Sequence, residues 1–112
     1  MEIEFGNNKL RNRCGNRKEA VKAWGLENAR KILQRIGEIY AADTLADLYK
    51  LPQARCHKLK ADRERQYAVD VVHPYRLVFE PAGTPESYME GAEVIASKVT
   101  RVRLLEVVNY HD

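Results

Sequence analysis

The sequence predicts an α+β fold: a small, antiparallel-rich β-sheet with N-terminal helices packed on one face, formed as a single domain over residues 1–112. Apolar residues recur at three- and four-residue spacing in the first half of the chain and alternate with polar residues in the second half. The 112 residues suit one domain, and 45% hydrophobic with 31% charged residues is a globular composition.

The chain is expected to begin with a strand and two short helices. Glutamate and apolar residues alternate over 2–5, which indicates a short half-buried strand. A basic helix is expected over 8–14, where Gly15 interrupts it. Asn16 can then cap a second helix that ends at Trp24, because a glycine follows.

The longest helical pattern begins at Leu26 and ends near Tyr40. Its apolar positions form one stripe that is expected to face the sheet: Leu26, Ala29, Ile32, Leu33, Ile36, Ile39 and Tyr40. Its charged positions are expected to face solvent: Glu27, Arg30, Lys31, Arg35 and Glu38. A helix that lies on a sheet has this pattern.

One more helical turn and the main strands are predicted in the second half of the chain. Asp43 or Thr44 can cap a turn that Pro52 ends. Extended segments are expected over 55–59, 66–72, 75–80 and 102–110. The last of these has apolar residues on both faces, so we expect it inside the sheet. Residues 83–98 are expected to form a long, mobile connection.

Positive charge is concentrated in the first part of the chain. Residues 1–65 hold 15 Lys and Arg against 9 Asp and Glu, whereas residues 66–112 hold 4 against 7. Two basic clusters stand out: Lys9, Arg11, Arg13, Arg17, Lys18 and Lys22, and then Arg55, Lys58, Lys60, Arg63 and Arg65. Such a surface attracts polyanions, so RNA or DNA is a candidate partner class. The alternative is a solvated helix face and a basic loop.

Several classes of protein are not expected from this sequence. Two cysteines, Cys14 and Cys56, are too few for a disulfide framework and lack the spacing of a structural zinc site. The N-terminus has no secretion signal, and no run of about 18 apolar residues occurs. We therefore expect a cytoplasmic protein with reduced cysteines, no metal, no cofactor and no contact with a membrane.

A small set of side chains has the chemistry that metal-free RNA cleavage needs. The reaction requires a base for the ribose 2′-hydroxyl, cations for the phosphorane and an acid for the departing 5′-oxygen. Candidates are His57, Lys60, Arg76, Tyr110 and His111, which strands of one antiparallel sheet can bring together. Each also has a structural interpretation, as a surface strand residue, a solvated charge or part of the chain terminus.

Three ordered segments resemble the RelE superfamily of bacterial toxins, in particular its HigB type: residues 57–69 (HKLKADRERQYAV), 73–79 (HPYRLVF) and 107–111 (VVNYH). The resemblance covers nearly the whole chain. It implies a compact microbial ribonuclease-like fold and cleavage of messenger RNA in the ribosomal decoding site, without metal. It also implies an antitoxin with a helix-turn-helix domain, similar to HigA, that neutralises the toxin as an oligomeric complex.

Carried over by position, the resemblance assigns His57 or His111 to proton transfer. It assigns Lys60 and Arg76 to stabilisation of the phosphate, and Tyr110 to orientation of the substrate nucleotide. It does not decide which histidine is base and which is acid. Basic residues are expected to contact RNA phosphates: Arg55, Lys58, Arg63, Arg65, Lys9, Arg11 and Arg13.

Three positions depart from the pattern of the family. Asn109 stands where similar toxins commonly have aspartate, and Ala61 and Arg65 stand where glycine is common, so the loop backbone is expected to be restricted or redirected. Two other functions therefore stay open on the same fold. One is a non-catalytic toxin that binds DNA gyrase, similar to ParE, and the other is an inactive relative that only binds an antitoxin.

Overall fold

The structure is a computed structural model that describes residues 1–109, and these form four α-helices, a five-stranded sheet and a small hairpin. The helices are α1 (Asn8–Gly15), α2 (Arg17–Trp24), α3 (Leu26–Ala41) and α4 (Leu45–Tyr49). The strands are β1 (Glu2–Phe5), β2 (His57–Lys58), β3 (Tyr67–Asp70), β4 (Tyr75–Pro81), β5 (Met89–Glu90), β6 (Glu93–Val94) and β7 (Arg101–Asn109). The α+β prediction is confirmed.

The five-stranded sheet has the order β1-β7-β4-β3-β2. Only β1 runs parallel to its neighbour, and the other three pairings are antiparallel. Strand β7 lies between β1 and β4, so the prediction of an interior strand is correct. A turn with a cis peptide bond between His73 and Pro74 joins β3 to β4. In this strand order, β2 and β4 lie on the two sides of β3.

The main core lies between the helices and one face of the sheet. Ile32 and Ile39 of α3 and Leu77 and Phe79 of β4 are fully buried in one apolar cluster. The ring of Tyr67 stacks on Phe79 with 6.0 Å between centroids. Because side chains alternate along a strand, the residues between these point to the other face, where a second, smaller apolar cluster forms.

Asparagine and threonine side chains cap the N-termini of α1, α2 and α4. Asn7 Oδ1 accepts a hydrogen bond from the backbone N–H of Leu10 at 2.8 Å. Asn16 caps α2 as the sequence predicts, and Thr44 rather than Asp43 caps α4. These contacts satisfy donors that have no partner inside the helix.

The predicted orientation of α3 is wrong by part of a turn. Leu26, Leu33 and Tyr40 are exposed, with Tyr40 at 72% of its full area, whereas Arg35 is buried at 4%. The reason is that Arg35 points inward and donates to two backbone carbonyls. The orientation of α3 about its axis places this side chain within reach of them. Periodicity alone places an arginine on the solvent side.

The segment 83–98 is more ordered than the sequence predicts. Two 3₁₀ turns, Pro85–Ser87 and Ala96–Lys98, flank the β5–β6 hairpin. Tyr88 is buried at 6% and its carbonyl accepts a hydrogen bond from the N–H of Ile95 at 2.8 Å. Within residues 1–109, no helix is both long and apolar enough to cross a membrane.

Candidate functional site

The structure brings His57 and Arg76 together on the sheet face opposite the helices. His57 lies on β2 opposite Ala68 of β3, and Ala68 lies opposite Val78 of β4. Arg76 is two residues before Val78, so it points to the same face as His57. Arg76 NH1 lies 3.3 Å from His57 Nε2. Two of the predicted catalytic side chains are therefore in direct contact.

The contacts of His57 define its tautomer. Nδ1 lies 2.8 Å from the carbonyl oxygen of Arg55, which can only accept a hydrogen bond, so Nδ1 is the donor. A guanidinium can only donate, so Nε2 accepts from Arg76. The neutral imidazole with its proton on Nδ1 satisfies both contacts. Its Nε2 then accepts from a cation that binds phosphate well, so an imidazole and a phosphate-binding group lie side by side.

A carboxylate joins the two arginines of this site. Asp70 Oδ1 lies 3.4 Å from Arg76 Nε, and Asp70 Oδ2 lies 3.2 Å from Arg55 Nε. Asp70 and Arg76 are opposite each other in the β3–β4 register. Their side chains are 28% and 25% exposed, so both are partly shielded from water. Sequence reasoning missed Asp70, although opposite charges at facing positions of a hairpin are a signal for such a pair.

Arg35 supports this group from the helix side. Its Nε donates to the carbonyl oxygen of Asp70 and its NH2 to that of Gln53, each at 2.7 Å. Its NH1 forms an ion pair with Glu38 at 2.9 Å. Burial would raise the pKa of Glu38, but hydrogen bonds from Gln53 and Gln34 and the charge of Arg35 outweigh it and lower that pKa. Helix α3 is thereby tied to the backbone beneath the site.

Apolar side chains form the surface beside His57 and Arg76. Leu59, Ala68 and Val78 are buried in the second apolar cluster, with the partly buried Leu105 and Val108 packed against them. Val108 lies opposite Arg76 in the β4–β7 register. A nucleotide base can pack on such a surface while its phosphate meets the cations.

The loop over 60–66 holds three predicted cations, Lys60, Arg63 and Arg65. Lys60 is exposed and follows His57 by three residues. Arg63 NH1 lies 2.8 Å from Glu106 of β7 and 3.1 Å from Gln66. The Arg63 contact therefore brings the loop against the same sheet face.

Two non-glycine residues of this loop have a backbone conformation that glycine favours. Ala61 has φ 61° and Arg65 has φ 60°. Both lie in the left-handed region, which costs non-glycine residues roughly 1–2 kcal/mol. Both residues therefore hold the loop in a strained backbone conformation.

The other predicted RNA-binding residues are divided between surfaces. Lys58 points to the opposite face of β2 from His57, because it pairs with Tyr67, whose side chain lies in the main core. Lys9 and Arg13 line a groove of about 130 Å³ between α1 and β7, which Trp24 and Glu106 also line. Arg11 lies on another side of α1, near Asn16 and Glu19.

Tyr110 and His111 lie outside the described residues. Strand β7 is described up to Asn109, which pairs with Tyr75 at the start of β4. Tyr75 directly precedes Arg76, so the described end of β7 lies beside the His57–Arg76 contact. In residues 1–109, no group of three or more His, Cys, Asp and Glu side chains is arranged to hold a metal ion.

The arginines at the other end of the sheet are matched by carboxylates. Arg103 contacts Glu80 at 2.8 Å and Glu4 at 2.7 Å, and Arg101 contacts Glu2 at 2.9 Å. Hydrogen bonds to Glu80 and Glu4 raise the pKa of Arg103. Two carboxylates beside Arg103 repel a phosphate, so this end of the sheet is a poorer site for a polyanion.

The chain was compared with models of protein families, with curated proteins and with solved structures. No family model, no curated protein and no solved structure matches it.

Proposed function

We propose that this protein is a toxin of a type II toxin–antitoxin system, of the RelE superfamily and HigB type, that cleaves messenger RNA on the ribosome. The observation that carries the proposal is the contact between Arg76 NH1 and His57 Nε2, at 3.3 Å. It pairs an imidazole, which can act as a base or an acid, with a phosphate-binding cation. The resemblance of the three sequence segments supports the same assignment.

In the proposed reaction, the ribose 2′-oxygen attacks the adjacent phosphorus and forms a phosphorane. One histidine, His57 or His111, accepts the proton of the 2′-hydroxyl, and the other donates a proton to the departing 5′-oxygen. The products are a 2′,3′-cyclic phosphate and a 5′-hydroxyl end. Arg76 and Lys60 stabilise the negative charge of the phosphorane, and Tyr110 orients the nucleotide.

The proposed partners follow from the surface charges and the resemblance. Phosphates of messenger and ribosomal RNA are the expected ligands of the cations around the site, so binding should weaken as salt is raised. A helix-turn-helix antitoxin is the expected neutralising partner, in an oligomeric complex. The proposed place of action is the cytoplasm, where the ribosomes are.

Induction of the chain alone in bacteria tests this function. We expect growth arrest and broken transcripts, which primer extension on an abundant messenger RNA detects within minutes. Intact transcripts with DNA damage would instead indicate a gyrase poison. Normal growth with intact transcripts, together with tight binding of an antitoxin, would indicate an inactive relative, for which Asn109 is the sequence argument.

A further inference from the structure

We propose that Asp70 is the positioning residue of this site: its carboxylate fixes Arg76 against His57, and it fixes Arg55 at the same time. The reaction that this arrangement serves rests on the proposed function. The positioning itself rests only on the contacts below. Asp70 itself is not among the predicted catalytic or RNA-binding residues.

The contacts form a closed ring. Asp70 binds Arg76 through Oδ1 and Arg55 through Oδ2, at 3.4 Å and 3.2 Å. Arg76 NH1 contacts His57 Nε2 at 3.3 Å, and His57 Nδ1 donates to the Arg55 carbonyl at 2.8 Å. Each of these four residues therefore holds two of the others. Removal of the Asp70 carboxylate opens the ring at both arginines.

The shape of the guanidinium explains how a carboxylate at Nε orients the rest of the group. Nε and the two terminal nitrogens lie in one rigid plane, so a contact at Nε restricts where NH1 can point. In Arg76, Asp70 binds Nε while NH1 reaches His57. Because both side chains of the pair are about three-quarters shielded, water competes less for this contact than at an exposed ion pair.

Asp70 is itself fixed by its backbone. Its N–H donates to the carbonyl of Ala54 at 2.8 Å, and its own carbonyl accepts from Arg35 Nε at 2.7 Å. Arg35 also binds the carbonyl of Gln53, so one buried arginine holds both chain segments that carry the ring. Because the backbone of Asp70 is hydrogen-bonded on both sides, its short carboxylate side chain has a fixed position from which it can orient two long arginine side chains.

A purely structural ion pair across the hairpin is the competing interpretation. NMR tests whether the carboxylate fixes the guanidinium groups in solution, and the kinetic test below separates positioning from a structural role. We would record the Nε–H signals of Arg76 and Arg55 and their exchange with solvent in the wild type and in Asp70→Asn. Glu2→Gln is the matched control, because it removes a carboxylate that pairs with Arg101 on the far edge of the same sheet. Asp70→Asn keeps the size of the side chain.

We expect Asp70→Asn to speed solvent exchange of the Arg76 Nε–H roughly tenfold or more, because the amide has no negative charge and only one acceptor oxygen. The Arg55 Nε–H, on a side chain that is 75% exposed, should change less. Glu2→Gln should leave both unchanged. Unchanged exchange in a folded Asp70→Asn protein would overturn the inference. This result does not require the protein to cleave RNA, so it stands apart from the test of the proposed function.

The kinetic test uses messenger RNA bound to ribosomes. Displacement of Arg76 should lower kcat roughly tenfold to a hundredfold in Asp70→Asn with KM within about twofold, because the cation is misplaced in the transition state. Asp70→Glu keeps the charge and should recover part of kcat, and it also serves if Asp70→Asn does not fold. Wild-type kcat in Asp70→Asn, or no recovery of kcat in Asp70→Glu, would overturn the positioning role. If the wild type does not cleave, the proposed function fails and the exchange result alone decides the inference.

Discussion

Arg76 reaches across a whole strand to His57, with 3.3 Å between NH1 and Nε2, although the residues are 19 positions apart in the chain. Strand β3 lies between them, and both side chains rise from the sheet face that lacks the helices. Two strand spacings of about 4.8 Å each separate β2 from β4, and the long arginine side chain together with the imidazole spans that distance.

Replacement of Arg35 by methionine should destabilise the fold by about 3 kcal/mol. The change leaves the carbonyls of Asp70 and Gln53 and the carboxylate of Glu38 without their partner in a buried setting. Urea unfolding followed by circular dichroism measures the effect. The matched control is Arg30→Met, an exposed arginine on the same helix, with an expected change within about 0.5 kcal/mol. Equal losses in the free energy of unfolding for both variants would show that the buried contacts of Arg35 do not stabilise the fold.

Glu38→Gln should cost stability at neutral pH and not in acid. The folded-state pKa of Glu38 is lowered below its usual value of 4.5, so the carboxylate stabilises the fold above that pH. This contribution is lost as the pH falls through the folded-state pKa. We expect Glu38→Gln to be about 1 kcal/mol less stable at pH 7 and to approach the wild type as the pH falls below 4.5. A difference that stays constant from pH 7 to pH 3 would contradict the argument.

Ala61→Gly should stabilise the protein by about 0.5–1 kcal/mol. Ala61 has φ 61°, and glycine adopts this conformation without the steric cost of a Cβ atom. Ala23→Gly in helix α2 is the control, and the same change should there destabilise by roughly 0.5–1 kcal/mol. Thermal unfolding of both variants checks the opposite signs. A loss of stability in Ala61→Gly would mean that the loop carries no strain at this residue.

Both cysteines should react slowly with alkylating reagents. Burial raises the pKa of the Cys14 thiol to about 11 and that of Cys56 to about 12, from a usual value of 9.0. At pH 8 the reactive thiolate of Cys14 is therefore about a hundredfold scarcer than in an unfolded chain. Iodoacetamide labelling with and without urea, followed by mass spectrometry, measures the ratio. Rapid labelling of the folded protein at both thiols would contradict it.

The sequence predicts the elements better than their orientation. Strands and helices follow from periodicity and capping residues, so Asn16 and the hairpin at His73-Pro74 lie where the patterns place them. Arg35 breaks the rule that charged positions face solvent, because its hydrogen-bond partners are backbone carbonyls distant in sequence. Short-range patterns do not contain those partners.

Prediction of the candidate site from the sequence has the same limit, because contacts between distant residues are not visible in short-range patterns. The sequence indicates His57 and Arg76 by residue type and by resemblance, and the structure places them in contact. Asp70 is less visible, since an aspartate at the end of a strand is an ordinary turn residue. Only the register of β3 against β4 places it opposite Arg76. Tyr110 and His111 remain predictions, because they lie outside the described residues.

The most direct test of the account is cleavage of messenger RNA on purified ribosomes by the wild type, His57→Ala and Arg76→Lys. Arg76→Lys keeps the charge but loses the planar group that reaches His57, and Arg101→Lys is the control at the other end of the sheet. We expect wild type and control to cut at the same sites and rates, and each site variant to be slower by roughly a hundredfold. Uncut messenger RNA with the wild type, or equal rates in all four proteins, would contradict the central claim.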